Sequence, residues 1–337
     1  MPDTQFSSLR RSALRAAAGA TSLVAIPAWA QSGAGTIGTT GPAGNVSIII
    51  PFGPGSTPDI VARLLAEPLG KRIARNVIVD NRPGASGNIG ARLVATGPTD
   101  GSQLLMSAFA FVVSPLMYRK LPFNPVNDFT PIAFIGSGSM ILVTHKAGPK
   151  TCEEFVALAR ANPGKLDFGS TGVGAPHHMS MALFEQVARV DLTHIPYKAV
   201  GDMVAALIGG QVIAGWLPIS VALPQVQGGR LVPLANSHLQ RSAVLPDVRT
   251  AHEIGFTGYE VDNWVGLLAP AKIPEATATL FAEEVDRLVR DPAISAKLQA
   301  QGVAVESKSR AQFTTFLSAE RKKWEQLISE RKLGLND

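Results

Sequence analysis

Residues 46–69 read VSIIIPFGPGSTPDIVARLLAEPL, and a unit of the same kind returns at residues 166–187 as LDFGSTGVGAPHHMSMALFEQV. Each unit is an apolar strand, then a glycine-rich loop carrying small hydroxyls, then an amphipathic helix. The first-turn N–H groups of such a helix lack intrahelical partners and lie at the positive end of the helix dipole. We call residues 53–57 the first jaw and residues 170–175 the second jaw, because two such loops on separate lobes predict a two-sided site for a carboxylate.

The amino-terminal segment has the composition of an export signal. Basic residues at positions 10, 11 and 15 precede a small and apolar stretch, and Ala28-Trp29-Ala30 matches an A-x-A cleavage site. We therefore expect residues 1–30 to be a signal peptide that is cleaved near Ala30, with the mature protein in the periplasm. Because Arg10 and Arg11 also resemble a twin-arginine signal, both export routes stay open. A membrane anchor is disfavoured, since spanning a bilayer needs about twenty apolar residues.

Composition and charge exclude other classes of protein. The single Cys152 has no second cysteine for an intramolecular disulfide. The formal charge is +5, and it falls to +3 when the three Arg and one Asp of residues 1–30 are removed. The dense basic run at residues 321–323 has glutamates beside it, and no basic stripe with aromatics occurs, so we expect no nucleic-acid partner. A mature chain of about 300 residues favours two lobes over one core.

Strand and helix patterns alternate along most of the chain. This order predicts an α/β fold in which each lobe is a mainly parallel sheet flanked by helices. Residues 31–45 are small and polar, and we expect a flexible lead there. After residue 274 the pattern is helical with little strand signal, so this segment must return to an existing lobe. We expect lobe 1 to be residues 46–141 and 262–337 and lobe 2 to be residues 142–261, with hinge strands near residues 141–144 and 261–268.

The loops do not carry common enzyme signatures. Neither jaw supplies the lysine of a phosphate-binding loop, and residues 84–90 have the spacing G-x-x-G-x-x-G instead of a dinucleotide fingerprint. No Gly-x-Ser-x-Gly elbow occurs. His177 and His178 are adjacent and would point about 100° apart on a helix, and the other histidines, at 145, 194, 238 and 252, are isolated in sequence. We expect no catalytic residues, no metal and no other cofactor. The alternatives are a hydrolase or other enzyme with an unrecognised Ser/His arrangement in the same cleft, and a cytosolic regulator domain.

Small hydroxyls at predicted strand ends are suited to binding without chemistry. Ser56, Thr57, Ser107, Ser170 and Thr171 lie where open α/β sheets place their ligands. Each hydroxyl can donate one hydrogen bond and accept others. The alternative is that these hydroxyls only cap helices.

At these residues the sequence resembles the Bug-type periplasmic solute-binding proteins of tripartite tricarboxylate transport systems. Matching stretches cover nearly all of the mature chain and include IIIPFGPGSTPDIVARLLAEPLG, VIVDNRPGASGNIGARLVA, NPGKLDFGSTGVGAPHHM, HIPYKAVGDMVAALIGGQV and NWVGLLAPAKIP. The resemblance implies a two-lobed, type II-like Venus-flytrap fold that closes on a small carboxylate. It also implies delivery of that ligand to membrane transporter subunits or a sensor, and we expect a monomer.

The resemblance further implies which residues hold the ligand. In that family the carboxylate is held by the two loops, largely through backbone N–H groups, hydroxyls and water. The residues at matching positions are Gly55, Ser56, Thr57 and Asp59 in the first lobe and Ser170, Thr171, Gly174 and Ala175 in the second. Ser107 to Phe111 match a strand-end loop near the cleft, and together with Tyr197 and Lys198 they are the further expected wall residues. Asp59 also stands where a helix N-cap is expected.

Departures from the family pattern bear on the ligand. The family usually has Gly-Gly where this chain has Gly55-Ser56, which adds a side chain to the first jaw. Two acidic residues usual after residue 212 are replaced by Ile213 and by Leu217-Pro218, so an ammonium group would lack its partner. We expect Phe109, Phe111 and Trp216 to line an apolar wall instead, which favours an aromatic or alkyl mono- or dicarboxylate over an amino acid.

Overall fold

The computed structural model describes residues 44–118 and 120–333. Within these residues ten strands form one continuous sheet system in the order β2-β1-β3-β9-β4-β7-β5-β6, with β8 and β10 also paired to β4. The expected signal peptide and residues 31–43 of the expected lead lie outside the described residues. None of the described helices is both long and apolar enough to cross a membrane.

The first sheet is parallel on one side and antiparallel on the other. Strand β1 pairs in parallel with β2 and β3, whereas β9 runs antiparallel to β3 and β4, and β10 runs antiparallel to β4. Its strands and associated helices are β1 (Val46–Ile50), α1 (Thr57–Ile73), β2 (Val77–Asn81), α2 (Asn88–Ala95), β3 (Gln103–Ala108), α3 (Ala110–Met117), β4 (Phe129–His145), β9 (Asp262–Pro270), α8 (Glu275–Arg290), α9 (Pro292–Ala300), β10 (Ala304–Lys308) and α10 (Arg310–Arg331). A single 3₁₀ turn, Ala85–Gly87, precedes α2.

The second sheet repeats this mixed arrangement. Strand β5 pairs in parallel with β6 and β7, whereas β7 and β8 run antiparallel to β4. Its elements are α4 (Cys152–Ala161), β5 (Asp167–Ser170), α5 (Pro176–Ala188), β6 (Thr193–Pro196), α6 (Val200–Ile208), β7 (Ala214–Pro218), α7 (Ile219–Gln227) and β8 (Leu231–Asn236).

Strand β4 belongs to both sheets. Residues 129–139 of β4 pair with β9, and residues 140–145 pair with β7 and β8. The chain passes between the sheets a second time between β8 and β9. At this place Ser237 Oγ accepts from the Met140 N–H at 2.8 Å and donates to the Val261 carbonyl at 2.6 Å. One buried hydroxyl therefore ties the two crossing segments together.

Helix α10 spans both sheets. Near its start Phe313 packs edge-on against Trp264 and Phe134 of the first sheet. Near its end Arg331 Nη2 lies 3.1 Å from the carboxylate of Glu185 on α5. Helix α10 thus contacts elements of both sheets, although the sequence predicted that it packs on lobe 1.

Two elements of the structure have no clear local signal in the sequence. Helix α3, AFVVSPLM, was not predicted, because nearly all of its residues are apolar and no polar face marks a helical period. Strand β10, AVESK, fell in a region predicted to be helical throughout, because its residues are mostly polar and partly exposed at the sheet edge. Its pairing with β4 depends on contacts far apart in sequence.

Candidate functional site

The first jaw is shaped by the helix that follows it. Gly55 has φ +80°, and its N–H donates to Asp59 Oδ2 at 2.9 Å. The N-cap of α1 is Ser56, so the prediction that Asp59 occupies that place was wrong, and Asp59 lies in the first turn. The carboxylate of Asp59 is 3 % exposed and also accepts from Arg63 and Asn81. Asp59 therefore holds the loop in shape, and its oxygens are occupied.

The charge of Asp59 is stabilised by these donors. Burial acts to raise the pKa of Asp59, and hydrogen bonds from Arg63, the Gly55 N–H and Asn81 outweigh it, so the pKa is lowered. The carboxylate is consequently ionised at neutral pH. By contrast, Ser56 Oγ is buried without a hydrogen-bond partner, so this hydroxyl is available to a bound group.

The second jaw has the same backbone as the first at its last glycine and at the N-cap. Gly174 has φ +78°, and its N–H donates to His178 Nδ1 at 3.4 Å, four residues ahead as in the first jaw. The N-cap Ala175 has φ −68° and ψ 154°, against −69° and 155° for Ser56. Pro58 is the second residue of α1 and Pro176 is the first residue of α5, and neither has an N–H, so each first turn presents two N–H groups. The two helix starts are therefore alike in the number of these N–H groups and differ in their positions.

Three histidines lie under the second jaw. Ser170 Oγ contacts His194 Nε2, and Thr171 Oγ1 lies 3.0 Å from His177 Nδ1. The rings of His178 and His194 are 4.5 Å apart. Burial lowers the pKa of His177 to about 4, and burial with the nearby His194 and Arg331 lowers that of His178 to about 3. Burial also lowers the pKa of His194, so the three imidazoles are neutral at pH 7.

His194 is isolated in the sequence but not in the fold. Its neighbours in sequence carry no chemistry, yet β6 pairs with β5 and brings its ring to Ser170. Ser170 itself is fully buried, and its Oγ accepts from the Gly172 N–H at 2.9 Å. This hydroxyl closes the turn of the jaw.

Each jaw meets the other sheet's elements. Thr57 Oγ1 lies 3.3 Å from Ser220 Oγ at the start of α7. Ser86 Oγ, in the 3₁₀ turn of the first sheet, donates to the Val173 carbonyl of the second jaw at 3.3 Å. A Cβ placed on Gly174 would come within 3.2 Å of Met117 on α3. Sequence reasoning missed Ser220, Ser86 and Met117, since nothing local signals a contact across the interface.

Other predicted wall residues lie in different surroundings. Ser107 is buried at the end of β3 and lines a small cavity with Ser86 and Phe111, and Tyr197 is half-buried, its N–H donating to the Ser170 carbonyl at 2.8 Å. Phe109 and Trp216 are fully buried. Phe109 packs edge-on against Trp324 with ring centroids 4.7 Å apart, and Trp216 stacks on Tyr259 at 5.0 Å. Both rings therefore pack in the core of this structure, and their expected contact with a ligand stays a prediction.

The chain is similar to proteins of a known receptor family. A family model described as "Tripartite tricarboxylate transporter family receptor" matches residues 61–333. The chain belongs to this receptor family. As a member it is a solute-binding receptor, and the family is not an enzyme family. A curated relative, "Protein BugT" of Bordetella pertussis, is 28 % identical, with 86 % of this chain and 90 % of BugT covered.

Solved structures give the receptor family its two-lobed fold. "R. palustris Rpa4515 with adipate" superposes with TM-score 0.83 at 28 % identity, covering 87 % of this chain and 99 % of that one. "Periplasmic binding protein BugD" gives TM-score 0.81 at 26 % identity, covering 87 % and 99 %. "MatC (Rpa3494) from Rhodopseudomonas palustris with bound malate" gives TM-score 0.79 at 27 % identity, covering 85 % and 99 %. The predicted two-lobed Bug-type fold is confirmed.

Leu217, which stands where the family usually has an acidic residue, lies inside the second sheet. Leu217 on β7 is fully buried, pairs with Ile141 of β4 and packs in the core of the second sheet. The first polar side chain after β7 is that of Ser220, at the start of α7. The end of β7 therefore presents a neutral hydroxyl to the first jaw.

A metal centre does not form in the described part of this receptor. No group of three or more His, Cys, Asp or Glu side chains within residues 44–118 and 120–333 is placed to hold a metal ion. The three histidines under the second jaw are instead occupied with loop hydroxyls and with each other.

Proposed function

We propose that this receptor is exported to the periplasm, its signal peptide being cleaved near Ala30, and captures a small carboxylate between its lobes. The receptor then delivers this ligand to the membrane subunits of a tripartite tricarboxylate-type transporter, or to a sensor. The observation that carries the proposal is the pair of jaws, two open helix N-termini with hydroxyls, each in contact with the opposite sheet's elements. Anion binding at such termini is favoured by the free N–H groups and the helix dipole.

The lobes we propose are residues 46–141 with 262–337 and residues 142–261. The crossing segments tied by Ser237 act as the hinge, and the protein works as a monomer. A ligand selects the closed state because contacts to both jaws exist only when the lobes meet.

The proposed ligand contacts fall into two groups. Thr57, Ser56 and Thr171 offer hydroxyls, while Gly55, Gly174 and Ala175 shape the loops so that first-turn N–H groups face the ligand. Ser107 lies on the wall beside them. Asp59 and Ser170 act indirectly, since their oxygens are engaged with Gly55 and Gly172.

The ligand class we propose is an alkyl mono- or dicarboxylate without an ammonium group. Asp59, the acidic side chain in the first turn of the first jaw's helix, is already bound to Arg63, Asn81 and the Gly55 N–H, so it is not free to pair with an ammonium. The second jaw's side chains are neutral at pH 7. Adipate and malate, present in the two solved relatives, are dicarboxylates of this kind.

One observation favours a hydrolase, and others oppose it. Ser170 beside His194 is a Ser/His pair of the kind that a hydrolase in this cleft requires. However, Ser170 is fully buried and accepts from Gly172, and the pKa of His194 is lowered by burial with no carboxylate assisting. A nucleophilic serine needs access to substrate and an oriented base. We therefore propose binding without catalysis.

The test is a thermal-shift and calorimetric screen of the protein lacking residues 1–30. Adipate, malate and glutamate differ in the groups beyond one carboxylate, and adipamide is the uncharged control for adipate. A ligand at about one hundred times its Kd stabilises the folded state by about 2.7 kcal/mol. We expect shifts with dicarboxylates, none with adipamide, and weaker binding of glutamate. Stabilisation by none of the carboxylates, or turnover of an ester or amide, overturns the proposal.

A further inference from the structure

His177 lies at the start of α5 with only one of its ring nitrogens engaged. The residue is 3 % exposed, and its Nδ1 is 3.0 Å from Thr171 Oγ1. Its Nε2 is buried and has no hydrogen-bond partner. A buried polar atom without a partner is uncommon in folded proteins, so the tautomer of this ring matters.

A neutral imidazole carries one N–H, on either Nδ1 or Nε2. With the proton on Nε2, a buried N–H would have no acceptor, which is the rarer and more destabilising kind of orphan. With the proton on Nδ1, His177 donates to Thr171, and only a lone pair on Nε2 is left without a partner. The geometry therefore favours the Nδ1–H tautomer.

This tautomer fixes the direction of the Thr171 hydroxyl. Because Thr171 Oγ1 accepts from His177, its own proton points away from the ring and remains to be donated. Thr171 is half-buried in the second jaw, two residues from Val173, which contacts the opposite lobe through Ser86. We infer that His177 is a positioning residue that makes Thr171 an obligate hydrogen-bond donor to the ligand carboxylate, an inference that rests on the proposed function.

The neighbouring histidine has the opposite arrangement. His178 Nδ1 accepts from the Gly174 N–H at 3.4 Å, so its proton lies on Nε2. Two adjacent imidazoles thus hold opposite tautomers, one supporting a hydroxyl and the other a backbone N–H. His178 supplies an internal reference for His177 in the same spectrum.

The first experiment is ligand-free. Long-range ¹H–¹⁵N correlation spectra of the ¹⁵N-histidine-labelled protein at pH 7 distinguish the two tautomers, and His177→Asn and His178→Asn assign the signals. We expect His177 protonated on Nδ1 and His178 protonated on Nε2. A His177 signal of the Nε2–H type, or a protonated imidazolium, overturns the inference whatever the protein binds.

The second experiment is a double-mutant cycle read by calorimetry with adipate or malate. We expect His177→Leu to weaken binding by about tenfold or more, as loss of a hydrogen bond to a charged group does. His177→Asn, whose amide N–H lies near the position of Nδ1, should recover most of the affinity. In a Thr171→Val background, His177→Leu should cause no further loss. Far-UV circular dichroism and melting temperature report whether each variant is folded.

The outcomes distinguish a failure of the inference about His177 from a failure of the proposed function. If wild-type protein binds a dicarboxylate but His177→Leu weakens binding equally with and without the Thr171 hydroxyl, His177 has a packing role only and the inference fails. If wild-type protein binds none of the carboxylates, the proposed function fails, and the tautomer spectrum still decides whether His177 donates to Thr171.

Discussion

Replacing Ser170 with alanine separates a structural hydroxyl from a ligand-binding one. Ser170 is fully buried, accepts from the Gly172 N–H at 2.9 Å and contacts His194 Nε2. Ser170→Ala leaves both the Gly172 N–H and the His194 nitrogen without their partner. A buried polar group left unsatisfied costs about 1–3 kcal/mol. We therefore expect the free energy of unfolding to fall by about 2–4 kcal/mol, somewhat below the upper sum because water can reach a surface loop.

The assay is urea unfolding of the ligand-free protein, followed by fluorescence and circular dichroism with the midpoint and slope fitted together. Thr171→Val is the matched control, because its hydroxyl is half-exposed and contacts one ring nitrogen. The control leaves one buried nitrogen, His177 Nδ1, without its partner, so it should lower the free energy of unfolding by about 1–3 kcal/mol and also weaken ligand binding. Ser170→Ala should lower stability at least as much while the folded protein keeps its ligand affinity.

One result would refute this reasoning. If Ser170→Ala unfolds within about 0.5 kcal/mol of wild type and loses adipate affinity, the Ser170 hydroxyl donates to the ligand and does not close the turn. The His194 contact would then be incidental to the shape of the jaw.

Three further predictions concern buried groups outside the jaws. Burial raises the pKa of Glu185 to about 7 against the opposing Leu192 N–H and Arg331, so the folded state retains a proton that the unfolded chain releases, and stability should fall as pH rises from about 4.5 to about 7. Glu185→Gln should remove this part of the pH dependence. If the urea midpoints of wild type and variant change equally between pH 5 and pH 8, the prediction is wrong. Burial raises the pKa of Cys152 to about 12, so Ellman's reagent at pH 8 should label it in urea and not in the native protein; rapid native labelling shows the thiol is accessible. Ser237→Ala should lower the free energy of unfolding by about 2–4 kcal/mol, since the Met140 N–H and Val261 carbonyl both lose a buried partner, and an unchanged melting temperature rules out its role in tying the crossing segments.

How far the sequence predicted the fold depended on local signals. Helices α2 and α5 carry such signals, because a glycine or proline marks the start and apolar spacing marks the buried face. Helix α3 has no polar face, and strand β10 is stabilised by β4 from far along the chain, so neither had a local signal. Propensity alone could not have placed them.

The candidate site could likewise be predicted from the sequence only in part. The hydroxyl-rich jaws were evident from composition, and the structure brings each to the interface between the sheets. The contact of Ser220 with the first jaw had no local signal, and Phe109 and Trp216 were predicted to line the cleft because large aromatics at strand ends fit either a wall or a core. Only tertiary packing against Trp324 and Tyr259 decides between those two places.

The two jaws share the backbone of the last glycine and the N-cap but differ in the side chain that accepts from that glycine. In each, the glycine before the N-cap has positive φ and donates its N–H to the side chain four residues ahead. In the first jaw that acceptor is the Asp59 carboxylate, whose negative charge is balanced by Arg63. In the second jaw it is a neutral imidazole that contributes no charge. An anion between the jaws therefore meets an already paired carboxylate on one side and uncharged donors on the other. Arg63 must remain beside Asp59 for the first jaw to accept an anion, so Arg63→Gln should weaken dicarboxylate binding in calorimetry more at low salt than at high salt, since added salt screens the uncovered charge. A salt-independent loss of affinity would show that Arg63 acts by shape alone.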